Sequence, residues 1–416
     1  MNVSIGSTLF PRLDTSRILR SMLWPIAVML MFQRTVILAI NGARTDDFVP
    51  VYNASYNFLN RLPLYAENYT TVDPHYLYPP SGALLMGPLA LLNPDHARWL
   101  FLAASVIALI ASAYLLCRLF GQGAGTWLFP TILVFFFLTE SVTNTLVFAN
   151  FNAFVLLGLV AFMLLMRAHR DLWAGVMIGL TLCVKPVLAP LLLLPLLNRQ
   201  PKILITAIGV PVVLNAVAWP LVTDPMDFIQ RTAPYIFESR DYYNSSITGL
   251  GAYFGVAGWL ILLLRIAFLA MAVFSLWFLY RYYRERDDLL WLTTSSGVLL
   301  TTLWLVGSLG QGYYSMLLFP MVLTVLRPGS VVRNWPAWLA LYGCLTFDSF
   351  TSKRWEPLGR WLDYSKVTFG WSLLMVVVFC VLLFRWLDLR AANLAGQGPS
   401  ESSTVPDVTN AATVEG

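Results

Sequence analysis

The chain has 416 residues, of which 58% are hydrophobic and 12% charged, about half the ~25% charged fraction of an ordinary soluble domain. That excludes a soluble globular protein. The net charge is +5, from 27 Lys and Arg against 22 Asp and Glu; an all-α polytopic membrane protein with no nucleic-acid partner is expected.

Residues 1–21 read as a polar cytoplasmic leader carrying Arg12, Arg17 and Arg20. No small-residue cleavage pattern follows the first apolar run, so a retained signal anchor is expected. Spans are predicted near 22–40, 98–118, 127–143, 146–166, 172–184, 186–197, 203–221, 253–280, 289–308, 315–326, 335–347 and 367–387, about twelve within a range of ten to thirteen. Residues 81–92 are apolar but too short for a span and read as an external juxtamembrane helix. Between 172 and 197 both flanks look cytoplasmic, Arg167 with Arg170 and Arg199 with Lys202. A hairpin with its apex at Lys185-Pro186 reconciles them, because proline removes a helix donor and disfavours helical geometry in the residue before it. With more Lys and Arg inside than outside, external loops fall near 41–97, 222–250 and 348–366. The transmembrane domain covers 22–390, and 391–416, rich in Gly, Ser, Thr, Pro and Ala, is expected to be a disordered tail. Cys117, Cys183, Cys344 and Cys380 show no paired spacing and the three histidines are scattered, which gives no metal or disulfide signal.

The external segments hold the chemistry. They carry TDDFVPVY at 45–52, DPHYLYPP at 73–80, VFANFN at 147–152, SRDYYNSSITG at 239–249 and QGYYSM at 311–316. Carboxylates, amides, hydroxyls and rings on one membrane face suit a sugar, since polar groups bond its hydroxyls while rings cover its apolar faces.

In that order, the acid pair with an aromatic (DDFVPVY), Tyr-Pro-Pro (YLYPP), the Lys-Pro break (CVKP) and Asn-Ser-Ser-Ile-x-Gly resemble the GT-C glycosyltransferases of family 87, which use polyprenyl-phosphate sugars. The runs HYLYPP, LLLLPLLNRQ, RDYYNSSI, FLYRYYRE, TTSSGVLL, QGYYSM and RNWPAWL resemble a subgroup of that family, the branching alpha-1,3-arabinofuranosyltransferases of mycobacteria and corynebacteria. The likeness runs from about residue 15 to residue 390. It implies a GT-C fold with external catalytic loops in the plasma membrane and an extracytoplasmic active site. The implied donor is decaprenyl-phosphoryl-arabinofuranose, and the implied acceptor is a cell-wall arabinan in arabinogalactan, with lipoarabinomannan as a second acceptor. It further implies alpha-1,3 branching by an inverting single displacement, without metal or other cofactor.

One carboxylate base suffices for such a displacement. Asp47 stands before an aromatic and five residues ahead of Tyr52, the placement of the catalytic acid in the DFxxxY-like family pattern, and is favoured over Asp46. Adjacent side chains point in different directions, so the other acid is expected to cap a helix. Lys185 is the first candidate for the donor phosphate and Arg265 the second, because a charge at membrane depth calls for a partner; the plainer role for Lys185 is a headgroup anchor. Candidate substrate contacts are Tyr52, Asp73, His75, Tyr78, Asn150, Arg240, Asp241, Tyr242, Asn244, Ser245, Tyr313 and Tyr314. Asn150 and Asn152 cannot share a regular helical face, so at most one is expected to line the site. A polyprenyl-phosphate-mannose dependent mannosyltransferase would show much the same pattern. A lipid or solute transporter would instead bind near the midplane between broken helices.

Overall fold

The computed structural model describes residues 14–41 and 47–394; Asp46, most of the leader and most of the tail lie outside them. The described chain is mostly helical, with one isolated parallel β-bridge, Pro63 to Thr223. It divides into two compact units, Met1–Glu238 with Tyr313–Leu317, and Ser239–Gly312 with Leu318–Gly416.

The first unit contains α1 (Thr15–Phe32), which continues as a π-helical stretch Gln33–Ala39, then α2 (Phe48–Leu59), α3 (Pro80–Met86), α4 (Pro94–Leu119), α5 (Leu128–Leu138) and α6 (Glu140–Val147). It goes on through α7 (Asn152–Arg167), α8 (Asp171–Val184), α9 (Leu193–Leu197), α10 (Pro201–Ala218) and α11 (Ala233–Phe237). Local chemistry sets several starts: Asp14 caps α1 through the amides of Ser16 and Arg17, and Asn93 caps α4 through that of His96. Thr139, in extended geometry, ends α5 and caps α6, and the two helices meet at a 67° bend.

Helix α8 packs between α7 and α10, and glycines set how closely. A Cβ at Gly175 would stand 2.7 Å from the Ile203 carbonyl oxygen, and one at Gly179 would stand 3.1 Å from that of Ala207. Gly175 and Gly179 are four apart and so lie on one helix face, the small-xxx-small arrangement that lets helix backbones approach in a membrane.

The second unit contains α12 (Ile247–Phe254), α13 (Gly258–Tyr282), α14 (Asp288–Val306), α15 (Phe319–Val322), α16 (Trp335–Leu345) and α17 (Glu356–Leu394). Helices α16 and α17 close on each other at Gly343 and Gly370; a Cβ at Gly370 would lie 2.6 Å from the Ala340 carbonyl oxygen. The 39 residues of α17 span about 58 Å, well beyond the roughly 30 Å hydrocarbon core. Residues 356–366, read from the sequence as part of a loop, are therefore the first turns of this helix.

Among the described residues, six helical segments are long and apolar enough to cross a membrane: Thr15–Ala39, Pro94–Leu119, Pro201–Leu221, Gly258–Tyr282, Asp288–Val306 and Glu356–Ala392. The bent pair α5–α6 makes a seventh if it is counted as one span. The twelve apolar runs do not each become a membrane-length helix. The 16 residues of α7 and 14 of α8 reach about 24 and 21 Å, and the runs 186–197 and 312–326 form shorter helices partly of the 3₁₀ type. Hydropathy counts the apolar run but is blind to where backbone breaks divide it.

Candidate active site

Lys185 lies where α8 stops. Its backbone is extended, at φ −143° and ψ 106°, as expected before a proline. The chain resumes as a 3₁₀ turn from Pro186 to Leu192. Gln200 Nε2 donates to the Met166 carbonyl at 3.3 Å and to Asp171 Oδ1 at 3.1 Å. The segment thus returns to the level where α8 began, with Lys185 about 21 Å away at the far end of that helix. The hairpin geometry expected from the two basic flanks is present.

Around the ammonium the first unit assembles groups from distant parts of the sequence. Lys185 Nζ donates to Asn152 Oδ1 at 3.1 Å. It lies 5.1 Å from the centre of the Tyr313 ring and 4.8 Å from that of Tyr314, within cation–π range. Its Coulombic partner is Asp47. Asp47 also acts on Tyr78: burial holds that phenol well above its ordinary pKa, and Asp47, then Tyr314 and Tyr76, add to the rise. The Tyr78 hydroxyl therefore stays protonated at neutral pH. Asp47 occupies the position before the first residue of α2, yet its side chain makes no capping hydrogen bond there. Its charge acts on Lys185 and Tyr78.

Packing of the YLYPP segment fixes this arrangement. Pro80 opens α3, where its missing N–H costs nothing. Ser81 Oγ then donates to the Cys183 carbonyl at 2.9 Å, and the Ser81 amide donates to Asn215 Oδ1 at 3.0 Å. These bonds tie α3 to the end of α8, two residues before the lysine, and to α10. Close approach requires Gly82, since a Cβ there would come within 2.9 Å of both Tyr76 Oη and Tyr78 Cβ. The Tyr78 ring meets Phe151 edge-on at 5.2 Å, which carries the contact on to the start of α7.

Other sequence candidates have different surroundings. Tyr52 donates to the Leu92 carbonyl at 2.7 Å, and Asp73 is exposed. His75 pairs with Glu67 at 3.1 Å, its side chain only 4% exposed, under Tyr69 and Tyr235. Asn150 is buried and accepts the Asn152 amide at 3.1 Å. Arg240, Asp241, Tyr242, Asn244, Ser245 and Arg265 belong to the second unit. There Arg240 lies over the Tyr242 ring at 5.7 Å, Asp241 is exposed, and Arg265 is half-buried in α13. Ser245 donates its amide to the Gly310 carbonyl at 2.6 Å. The Asn244 amide is fully used: Nδ2 donates to the carbonyls of Arg240 and Ser308, and Oδ1 accepts from the amides of Ser246 and Gly310. Of Asn150 and Asn152, at most one of which the sequence expects at the site, Asn150 is the candidate chosen from the sequence, yet it is Asn152 that meets Lys185; nothing local marks a residue whose partner lies 33 positions away.

The sequence profile of glycosyltransferase family 87 matches residues 76–308, a stretch that takes in Tyr78, Asn152 and Lys185. The chain belongs to glycosyltransferase family 87. As a family 87 member it is a membrane glycosyltransferase. It is 55% identical over 388 residues to an alpha-(1→3)-arabinofuranosyltransferase of Mycolicibacterium smegmatis, covering 92% of this chain and 90% of the relative. Proteins of the same name from Mycobacterium tuberculosis and Corynebacterium glutamicum are 52% identical over 397 residues and 43% identical over 371 residues. These alignments cover 95% and 88% of this chain and 92% and 88% of the respective relatives. No solved structure matches the chain. Asp47 and Lys185 bring a carboxylate and an ammonium to one place.

Proposed function

We propose that this enzyme transfers arabinofuranose from decaprenyl-phosphoryl-arabinofuranose to a cell-wall arabinan, in arabinogalactan and in lipoarabinomannan, forming alpha-1,3 branches at the extracytoplasmic face of the plasma membrane. The observation that carries the reading is the cluster of Asp47 with Lys185, enclosed by Tyr78, Tyr313 and Tyr314; the names of the relatives supply the sugar.

In the proposed step, Asp47 takes the acceptor hydroxyl proton as the oxygen bonds to the anomeric carbon. The bond from that carbon to the phosphate oxygen breaks, and the prenyl phosphate leaves with the electron pair. One displacement inverts the anomeric centre. Lys185 balances the charge that develops on the leaving phosphate, so no acid need protonate it. Burial makes that balance more effective than it would be in water. Asp46 remains the alternative base, and Arg265 the alternative phosphate ligand. Counting the shorter apolar helices as membrane-embedded, the arrangement is of the GT-C type with about twelve segments.

Asp47→Asn keeps size and hydrogen bonding while removing basicity, so transfer falls by roughly 10²- to 10⁴-fold while donor binding persists. Normal turnover in Asp47→Asn with loss in Asp46→Asn would reverse the two roles, and normal turnover in both would refute a carboxylate base. Offering polyprenyl-phosphate mannose beside the arabinose donor tests the sugar: transfer of mannose alone would replace this reading with a mannosyltransferase.

A further inference from the structure

Three kinds of neighbour surround the Lys185 ammonium: the Asp47 carboxylate, the faces of Tyr313 and Tyr314, and the amide oxygen of Asn152. Only the first carries charge. Rings attract a cation without neutralising it, and an amide oxygen does the same.

Asn152 is held firmly. It is the first residue of α7 and is 0% exposed. Its amide N–H is bonded to Asn150 Oδ1 at 3.1 Å. The turn before it is pinned by the Asn150 amide donating to the Thr145 carbonyl at 3.1 Å and by Ala149 in left-handed geometry at φ 47°. The orientation of its side-chain amide is chemically forced, since an ammonium has donors only and must face the oxygen. Turned that way, Asn152 Nδ2 is buried without a hydrogen-bond partner, as is Asn150 Nδ2. Buried donors left open call for a reason, and holding the lysine supplies one for Asn152.

We infer that Asn152 is a positioning residue that holds Lys185 by a neutral acceptor, so that the ammonium's charge and its remaining N–H groups stay available to the phosphate of the donor. This rests on the reading of Lys185 as the phosphate ligand. It explains why an amide rather than a carboxylate occupies the position. Asp47 already opposes the ammonium, and a second carboxylate would leave the cluster with a net charge of −1, repelling a phosphate.

The test compares Asn152→Asp, Asn152→Leu and Lys185→Met, each reconstituted in nanodiscs, for binding of a short prenyl monophosphate and of the corresponding uncharged prenol. Asn152→Asp keeps the shape and the bond to Lys185 but takes the cluster with Asp47 to a net charge of −1. It should weaken monophosphate binding about tenfold or more, the range of one charge-assisted contact, and leave prenol binding unchanged. Asn152→Leu should raise the donor KM severalfold with little change in the acceptor KM. A merely structural role would move both ligands and both constants together. Should Asn152→Asp fail to accumulate, Asn152→Ala removes the acceptor without adding charge and should show the donor-selective rise in KM. Unchanged monophosphate affinity in Asn152→Asp, or equal losses for prenol and monophosphate, would overturn the inference. If Lys185→Met also binds monophosphate normally, the phosphate reading of Lys185 itself has failed. If Lys185→Met loses binding while Asn152→Asp does not, only the role of Asn152 falls.

Discussion

Replacing Lys185 by methionine tests the proposed phosphate site most directly. The substitution keeps most of the apolar stem and deletes the charge. One charge-assisted hydrogen bond to the phosphate contributes about 1.5–3 kcal/mol, equivalent to a roughly 10- to 150-fold loss of donor affinity. Two effects push toward the upper end. Asp47, no longer balanced by the ammonium, faces the phosphate as a like charge, and the leaving-group charge grows from the ground state to the transition state, so kcat falls along with affinity. Folding should survive, since methionine still packs against Tyr313 and Tyr314 through sulfur–aromatic contacts. Lys185→Arg should retain partial activity, because charge persists while the planar fork differs from a compact ammonium. Titration of a prenyl monophosphate against purified protein, with acceptor kinetics in parallel, gives the answer. Unchanged phosphate affinity and normal turnover in Lys185→Met would refute the reasoning, making the lysine a headgroup anchor and Arg265 the leading ligand.

Gly175→Val drives a side chain toward the Ile203 carbonyl and Thr206; overpacking of this kind costs about 1–3 kcal/mol, read as a lower thermal midpoint in detergent together with a rise in the donor KM as the end of α8 shifts. Asn244→Ala removes four hydrogen bonds to backbone groups, so thermal stability should fall by several degrees while the ratio of donor to acceptor KM is kept; a selective change in either KM would mean that Asn244 contacts substrate. Single cysteines at positions 68, 236 and 312 should react with a membrane-impermeant thiol reagent in intact cells, and those at 168, 200 and 284 should not. Labelling at 200 with protection at 236 would overturn the orientation.

How far the sequence reaches depends on the range of the interactions concerned. Lys185-Pro186 was legible as a helix break because proline acts on its own ring and the residue before it, whatever the rest of the chain does. The basic flanks at 167–170 and 199–202 foretold a chain that returns to its starting level for a similar reason: membrane preference belongs to each charge individually. Composition alone determined that the chain lies in a membrane, and the motifs DDFVPVY and CVKP, read through the resemblance, pointed to Asp47 and Lys185. The Gly175-x-x-x-Gly179 pattern was equally local, and it is the signal that would have located the close packing of α8 against α10.

Tertiary structure alone decided which residues meet. Asn152, Tyr313 and Tyr314 come to Lys185 across 33 to 129 positions, and no periodicity in the sequence encodes such encounters. Four backbone partners give the half-buried Asn244 a bracing geometry that an asparagine in an external polar motif does not announce. Helix length was also beyond hydropathy, which averages over a window: α7 and α8 fall short of the bilayer and α17 exceeds it. The reason is common to these cases, since a side chain's chemistry is local but its partners, and the point at which a backbone hydrogen-bond ladder ends, are set by the whole packed chain.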